Sequence, residues 1–394
     1  MKIAFFSFQG IRNGLPRGAV KAVFSLAEDL GLKKNVSLFL GYFDKANTHI
    51  NIGCVSVYYR LAHKIIRFFS RIFRIPSYKQ RYLSEILFDL FASLKIKEAT
   101  IVISSSYLKR TLQKNKKLGG SNIFIAYNPY DIEINAILKK EKISHGVTFT
   151  DAYTYERRIE FIRYSMSLYD QIVTFTASEY ESFIKQFSKN KISFVESFIL
   201  PKKQAFPKID FKKNSKLTFC YVAHPFWLKG IIHLLEAWSM INNSEIKLRI
   251  AGNVDQQLKN IIQERFFSLK NVEYTGWVDD LNQFLRTSHV CVVPSLLDAG
   301  PTTVAEAMCC NLPVVVSTGC GARTLIDDGV NGFIVEAGNS TVIAEKINWF
   351  IEHRNKIEKM GEEASNKIIK ISGADNNKAV VSHLLKVIKK LQVK

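Results

Sequence analysis

The chain has 394 residues, 47% hydrophobic and 23% charged, with a formal net charge of +20. That length suggests two domains or one large one, and the balance excludes disorder except at the ends. The charge is uneven: residues 1–200 hold 30 Lys and Arg against 16 Asp and Glu, giving +14, and residues 201–394 hold 25 against 19, giving +6. Such an excess implies an anionic partner (nucleic acid, anionic lipid or a phosphorylated substrate) unless it serves only solubility.

The opening KIAFFSF predicts a buried strand, RNGLPRG a turn-rich loop closing at Gly18, and AVKAVFSLAEDLG a helix ended by Gly31. This strand–loop–helix unit opens an α/β domain. The apolar run in MKIAFFSFQG is too short for a signal peptide, and no window of 18 uncharged apolar residues suggests a transmembrane helix. Further strands are predicted at VSLFLGYF, ATIVISSS, SNIFIAY and DQIVTFTA, with helical periodicity over 78–95 and 155–168.

Between these lies YYRLAHKIIRFFSRIFRIP, residues 58–76. Arg60, Lys64, Arg67, Arg71 and Arg74 recur at steps of four and three, so they line one helical face. Leu61, Ile65, Phe68, Phe69, Ile72 and Phe73 crowd the opposite side. A basic amphipathic helix with bulky apolar residues reads as a binder of an anionic membrane surface. The alternative is a surface helix whose apolar face packs on the sheet. No motif supports nucleic acid as the partner.

PKKQAFPKIDFKKNSK (201–216) has two prolines, six lysines and no period, and reads as an interdomain linker. The expected domains are therefore 1–200 and 217–374, with a last helix within 375–394 packing back toward the first domain. Strand–helix alternation restarts at LTFCYVA and continues through GIIHLLEAWSMI, KLRIAG, DQQLKNIIQERFFSL, NVEYTG, DDLNQFLRTS, HVCVVPS, TTVAEAMCC, PVVVST and STVIAEKINWFIEH. Unbroken apolar strands between helices mean a parallel sheet covered on both faces. The expected fold class is α/β, two doubly wound Rossmann-like domains with a cleft between them. The cysteines Cys54, Cys220, Cys291, Cys309, Cys310 and Cys320 form no matched C-x-x-C pairs, which argues against zinc. Most lie in apolar runs, fitting a reducing, cytoplasmic compartment.

In such sheets ligands bind beyond the carboxyl ends of the strands. The loop after HVCVVPS reads LLDAGPTTVAEAM. Gly300 permits close backbone approach, Pro301 suits a helix start, and the free N–H groups near Thr302 and Thr303 suit phosphate. Glu306, one turn inside, can accept two hydrogen bonds from a vicinal diol. Asp298 can accept from hydroxyls at the other end. Together they describe a nucleotide-sugar. Alternatively, Asp298 caps the loop and Glu306 is an exposed charge complementing the helix dipole. The loop after LTFCYVA, HPFWLKG, adds His224 and Lys229. A Lys there can neutralise a departing diphosphate.

Residues 217–350 resemble the retaining family 4 glycosyltransferases of GT-B fold. The family's Glu-x7-Glu signature stands as Asp298-x7-Glu306, its Arg-x4-Lys signature as His224-x4-Lys229, its glycine-turn segment as NVEYTGWVDDLNQFL and its late loop as IDDGVNGFIVEAGN. The first half matches only through the loop at Gly18 and the helix after it. The resemblance implies that Glu306 binds the donor ribose. Asp298, with amides near Gly300, Thr302 and Thr303, would hold the donor sugar. Lys229 and His224 would meet the diphosphate, Gly276, Trp277 and Val278 would border the base, and Gly18 would lie near the phosphates. It implies no metal and no cofactor beyond the nucleotide-sugar substrate. The implied reaction is sugar transfer with retention; joined to the membrane reading of the basic helix at 58–76, it leads to the expectation of a saccharide or lipid-linked acceptor, as in lipopolysaccharide or capsule synthesis, and a peripheral enzyme on the inner membrane face.

Two departures bear on this. Asp298 is one methylene shorter than the family's Glu. His224 lacks the fork of the family's Arg and is largely neutral near pH 7, which implies weaker or pH-dependent diphosphate binding. The family's cleft histidine has no clear counterpart; His145, Asn128 and Asp131 are the candidates. The rival functions are a sugar-nucleotide epimerase or phosphorylase on the same fold, and a non-catalytic relative that binds nucleotide-sugar.

Overall fold

The computed structural model describes residues 2–8, 19–31, 35–41, 50–148, 150–198, 216–223, 227–241, 243–254, 256–372 and 376–392. The chain forms two compact units. One comprises Met1–Phe175, Glu179–Ser197 and Asp375–Lys394, the other Thr176–Ser178 and Phe198–Ala374. Most of the expected linker, through residue 215, lies outside the described residues.

The first unit runs β1 (Lys2–Ser7), α1 (Ala19–Gly31), β2 (Val36–Leu40), β3 (Asn51–Cys54), α2 (Val57–Ile72), α3 (Ser77–Ser93) and β4 (Thr100–Ser104). It continues with α4 (Arg110–Lys117), β5 (Ser121–Ile125), α5 (Asp131–Ser144), α6 (Glu156–Ser167), β6 (Gln171–Thr174), α7 (Ala177–Ile184) and β7 (Ile192–Phe194). All seven strands are parallel, in the order β3-β2-β1-β4-β5-β6-β7. Side chains alternate across each strand. Ile3 and Phe5 therefore join one core with Leu26 and Leu30 of α1, while Ala4 and Phe6 join another with Tyr59 and Phe88.

The second unit holds β8 (Leu217–Val222), α8 (Ile231–Ser239), β9 (Ile246–Ala251), α9 (Gln256–Arg265), β10 (Val272–Gly276), α10 (Leu281–Arg286) and β11 (Val290–Val293). Then come α11 (Thr302–Cys309), β12 (Val314–Ser317), β13 (Gly332–Val335), α12 (Ser340–Glu352) and α13 (Ile357–Ser372). Its parallel sheet has the order β10-β9-β8-β11-β12-β13. The last helix, α14 (Asn376–Gln392), belongs to the first unit, where Val380, Leu384 and Ile388 pack with Ile3, Leu26 and Leu30. Both sheets are thus doubly wound and Rossmann-like. All six cysteines are free thiols, five of them buried.

Several elements exceed the sequence reading, β3, β7, β13 and α13 among them. β3 and β7 are short edge strands, where the apolar run is too brief to register. β13 hides in the glycine-bearing late loop. α13 contains Gly361, where a Cβ would meet the Asn311 carbonyl oxygen at 2.0 Å, so the break in its helical pattern serves close packing.

The helix α2 corrects two expectations. Its inward stripe is Tyr59 and Ser70, with Tyr59 packed edge-on to Phe88 at 5.7 Å. The bulky apolar residues do not pack on the sheet: Leu61 is 56%, Phe68 60% and Ile72 56% exposed. At about 100° per residue, Leu61, Ile65, Phe68 and Ile72 form a stripe opposite the buried one, with Arg60, Lys64, Arg67 and Arg71 flanking it on one side. Arg74 is not on that basic face. The helix ends at Ile72, and Arg74 takes a left-handed φ of 49° while the Ile75 N–H donates to the Ser70 carbonyl at 2.9 Å. Pro76 disfavours helix at the residue before it, which is why the chain turns there. Among the described residues no helix is long and apolar enough to cross a membrane.

Candidate functional site

In the second unit the strand order reverses between β8 and β11, and the loops after those two strands meet at the carboxyl edge of the sheet. Their approach depends on Gly230. It has φ 72°, and a Cβ there would meet the Pro294 carbonyl oxygen at 2.0 Å. The Leu296 N–H donates to the Leu228 carbonyl at 2.8 Å, and the Tyr221 hydroxyl to the Lys229 carbonyl at 3.3 Å. Lys229 then lies in a tight turn, Trp227–Lys229, with its ammonium paired to an Asp298 carboxylate oxygen. Two of the residues singled out in the sequence, 69 positions apart, are therefore in direct contact. The Asp298 side chain is only 10% exposed, so this ion pair is poorly screened by water.

The sequence reading missed what holds Asp298. Its N–H donates to the Gly319 carbonyl at 3.0 Å, and its carbonyl accepts from the Gly321 N–H at 2.8 Å. A Cβ on Gly321 would meet the Ala299 carbonyl oxygen at 1.6 Å, and one on Gly319 the Leu296 carbonyl oxygen at 2.2 Å. The T-G-C-G run after β12 is thus a backbone buttress for the Asp298 loop. Two glycines spaced by one residue straight after a strand were the available signal.

Beside the pair is an open pocket of about 520 Å³, bordered by Tyr221, Ala223, Lys229, Ser295, Thr302 and Thr303. Pro301 precedes α11, and the first-turn N–H groups of that helix have no partner within the helix. Lys229 and those N–H groups give the pocket a positive end suited to an anion. Glu306, half-buried one turn inside α11, has its carboxyl pushed above the usual value by burial, opposed by a hydrogen bond with Thr302. A carboxylate starved of water is a strong acceptor for hydroxyl donors.

The remaining candidates are scattered. Gly300 lies between Asp298 and Pro301. Gly276 closes β10, two strands from β8, with φ 68°. Trp277 is 67% exposed, its indole N–H on Asp279 at 3.2 Å, while Val278 packs on the unit's core. None of these three lines the pocket. His224 and Gly18 lie outside the described residues. In the first unit His145 faces Glu141 at 3.5 Å, Asn128 is exposed, and Asp131 is buried and accepts from Arg158 at 2.7 Å.

Residues 202–367 match the family described as glycosyl transferases group 1. Among curated proteins, the chain is 27% identical over 298 residues to the capsular polysaccharide biosynthesis glycosyltransferase CapM of Staphylococcus aureus, covering 71% of this chain and 76% of that one. It is 25% identical over 175 residues to the N,N'-diacetylbacillosaminyl-diphospho-undecaprenol alpha-1,3-N-acetylgalactosaminyltransferase of Campylobacter jejuni, covering 42% and 46%. Apart from CapM, the chain spans about half the length of the first curated relatives it matches. Among solved structures, the lipopolysaccharide outer core galactosyltransferase WaaB superposes with a TM-score of 0.63 at 17% identity, covering 98% of this chain and 99% of that one. That likeness shows the fold, the GT-B arrangement of two Rossmann-like domains.

Proposed function

We propose that this protein is a retaining glycosyltransferase that moves a sugar from a nucleotide-sugar donor to a saccharide or lipid-linked saccharide acceptor. The observation that carries this is the Lys229–Asp298 pair beside the start of α11, at the strand-order reversal of the unit that matches the family. In this reading the donor diphosphate takes Lys229 from Asp298 and lies against the N–H groups of α11. Asp298 is then released to accept from the donor sugar hydroxyls, with amides near Gly300, Thr302 and Thr303. Glu306 accepts from the ribose diol. His224 and Gly18 complete the phosphate contacts, and Gly276 to Val278 border the base.

The bond from the anomeric carbon to the diphosphate breaks, and a bond to the acceptor oxygen forms on the same face. The acceptor's proton passes to the departing diphosphate. Lys229 and the first turn of α11 offset the negative charge that develops there, without a metal.

The reading extends to location. α2 presents Leu61, Ile65, Phe68 and Ile72 to solvent with four basic residues beside them, which supports docking on an anionic leaflet at the inner membrane face. A membrane-docked enzyme suits a lipid-linked acceptor, and the name of the Campylobacter jejuni relative gives a diphospho-undecaprenol-linked one.

The test is nucleotide release across a panel of UDP-, GDP- and ADP-sugars, with and without bacterial glycolipid extract. Release that needs one donor and the lipid, and that collapses in Glu306→Ala, is the expected result. A sugar isomer formed from donor alone would instead identify an epimerase. Donor binding with no turnover in any combination would identify a non-catalytic relative.

A further inference from the structure

Ser295 follows β11 by two residues and borders the pocket beside the Lys229–Asp298 pair. Its backbone is held from several sides. The Ser295 carbonyl accepts from the Ser317 hydroxyl, and the neighbouring Leu296 N–H donates to the Leu228 carbonyl at 2.8 Å. A Cβ on Gly319 would meet the Ser295 carbonyl oxygen at 2.7 Å, so the glycine that supports the Asp298 loop also fixes this residue.

The Ser295 hydroxyl has no such hold. The residue is 0% exposed, and its Oγ is buried with no hydrogen-bond partner among the described residues. A buried hydroxyl without a partner destabilises a fold, and native proteins keep few of them. Other polar side chains around the pocket are engaged: the Tyr221 hydroxyl with the Lys229 carbonyl, Lys229 with Asp298, and Thr302 with Glu306. Ser317, equally buried, shows the ordinary arrangement, its hydroxyl spent on a carbonyl.

The surroundings decide which ligand that hydroxyl would meet. The pocket wall carries the Lys229 ammonium and the first turn of α11, while the carboxylates of Asp298 and Glu306 stand beside the wall rather than on it. A hydroxyl set among donors finds its partner in an anionic oxygen, to which it donates more strongly than to a neutral one.

We propose that Ser295 is a ligand-binding residue whose hydroxyl donates to a phosphate oxygen held between Lys229 and the start of α11. That the phosphate belongs to the donor diphosphate rests on the transferase reading; the preference of the hydroxyl for an anion does not. In the free protein the unpartnered hydroxyl lowers stability, and the bound anion removes that penalty.

The experiment uses the full chain as wild type, Ser295→Ala and Ser317→Ala, with inorganic pyrophosphate, UDP, GDP and ADP as probes. Calorimetry reads affinity, and thermal melts read stability without ligand. An anion that binds wild type should bind Ser295→Ala roughly tenfold more weakly, the loss of one hydrogen bond to a charged group. The melt of Ser295→Ala without ligand should stay level or rise. Ser317→Ala should lower it, because that hydroxyl has a partner to lose. A merely structural serine at 295 would lower the melt and leave affinity where it was.

Equal affinity in wild type and Ser295→Ala would overturn the proposal, and so would a melt lowered as far as in Ser317→Ala. No binding of any probe would overturn it together with the transferase reading. Nucleotide binding unchanged by Ser295→Ala would leave that reading standing alone. Ser295-dependent binding of pyrophosphate, with no nucleotide bound more tightly, would keep the proposal and sink the nucleotide-sugar donor.

Discussion

The two units carry pockets at equivalent points of their sheets, where the strand order reverses, yet they spend their charges differently. In the second unit one lysine meets one carboxylate, and the helix start beside them has N–H groups with no helical partner. In the first unit Arg158 is held by Glu85, Asp131 and Ala152 through four of its five donors. A single pair at the edge of a pocket can exchange partners when a charged ligand arrives. A buried network whose central guanidinium already makes four hydrogen bonds cannot do so without breaking several of them at once. The lesson is that charge near a pocket counts for binding only to the extent that it is not already consumed.

The largest effect expected from breaking this contrast is at Arg158. Replacing it with Met leaves Asp131 buried without a cation and Glu85 with Arg81 alone, and should cost about 3–5 kcal/mol, a large share of a typical domain's stability. Arg158→Lys should fail nearly as badly, because a lysine cannot supply the forked contact to Glu85. Denaturant melts of the full chain measure both. A loss no larger than that of an exposed arginine would show that the network does not organise the first unit.

The second unit should respond more in function than in stability. Lys229→Ala leaves Asp298, 10% exposed, without its cation, so it should lower the melt, but by less than Arg158→Met because only one pair is lost; its larger effect should be on sugar transfer, roughly 100- to 1,000-fold lower. Asp298→Ala frees Lys229 from its partner. It should tighten the binding of free nucleoside diphosphate several-fold while still lowering transfer. Calorimetry with the nucleotide decides this. Weaker nucleotide binding in Asp298→Ala would mean that the pair does not exchange partners.

At the surface, the contrast is between α2 and the rest of the first unit's exterior. Changing Arg60, Lys64, Arg67 and Arg71 to Gln should release the chain from anionic vesicles, each contributing about 1 kcal/mol. Leu61→Ser with Phe68→Ser should do so even with the basic residues intact, with no change in melting because both side chains already face solvent. Vesicle flotation reads the outcome, and binding that persists in both variants would end the membrane proposal.

The second unit was the more legible in sequence, for a physical reason. Its site is built from loops next to long apolar strands, so Asp298, Glu306 and Lys229 could be assigned to one edge of a sheet by counting strands. Lys229 was read as waiting for a diphosphate, however, and its pairing with Asp298 was invisible because 69 residues separate them. Gly319 and Gly321 show in the sequence only as two glycines after a strand, with nothing to mark the Asp298 loop they pack against. In the first unit, Arg158, Glu85 and Asp131 come from three helices. Each reads locally as an ordinary helical charge, and no spacing rule links them. The outward apolar stripe of α2 was legible as a pattern, but which of its faces met the sheet depended on tertiary packing.

The smallest effect concerns acid. Each unit has a histidine that burial keeps neutral: His289 in the second, pushed down to about 4 with Arg354 adding to the shift, and His383 in the first, lowered by burial and Lys386. The Thr218 N–H donates to His289 Nδ1 at 3.0 Å, which suits the neutral ring. The folded value of His289 lies below its ordinary 6.5. As pH falls through 6.5, the unfolded chain takes up a proton that the folded chain refuses, so stability declines until about pH 4 and then levels off. His289→Gln keeps an acceptor for Thr218 but cannot titrate. It should flatten this part of the stability profile, and by more than His383→Gln, whose shift is the smaller. Denaturant melts between pH 4 and 7 compare the two slopes. Equal slopes in both variants and wild type would place the acid sensitivity elsewhere, in the carboxylates of the two pockets.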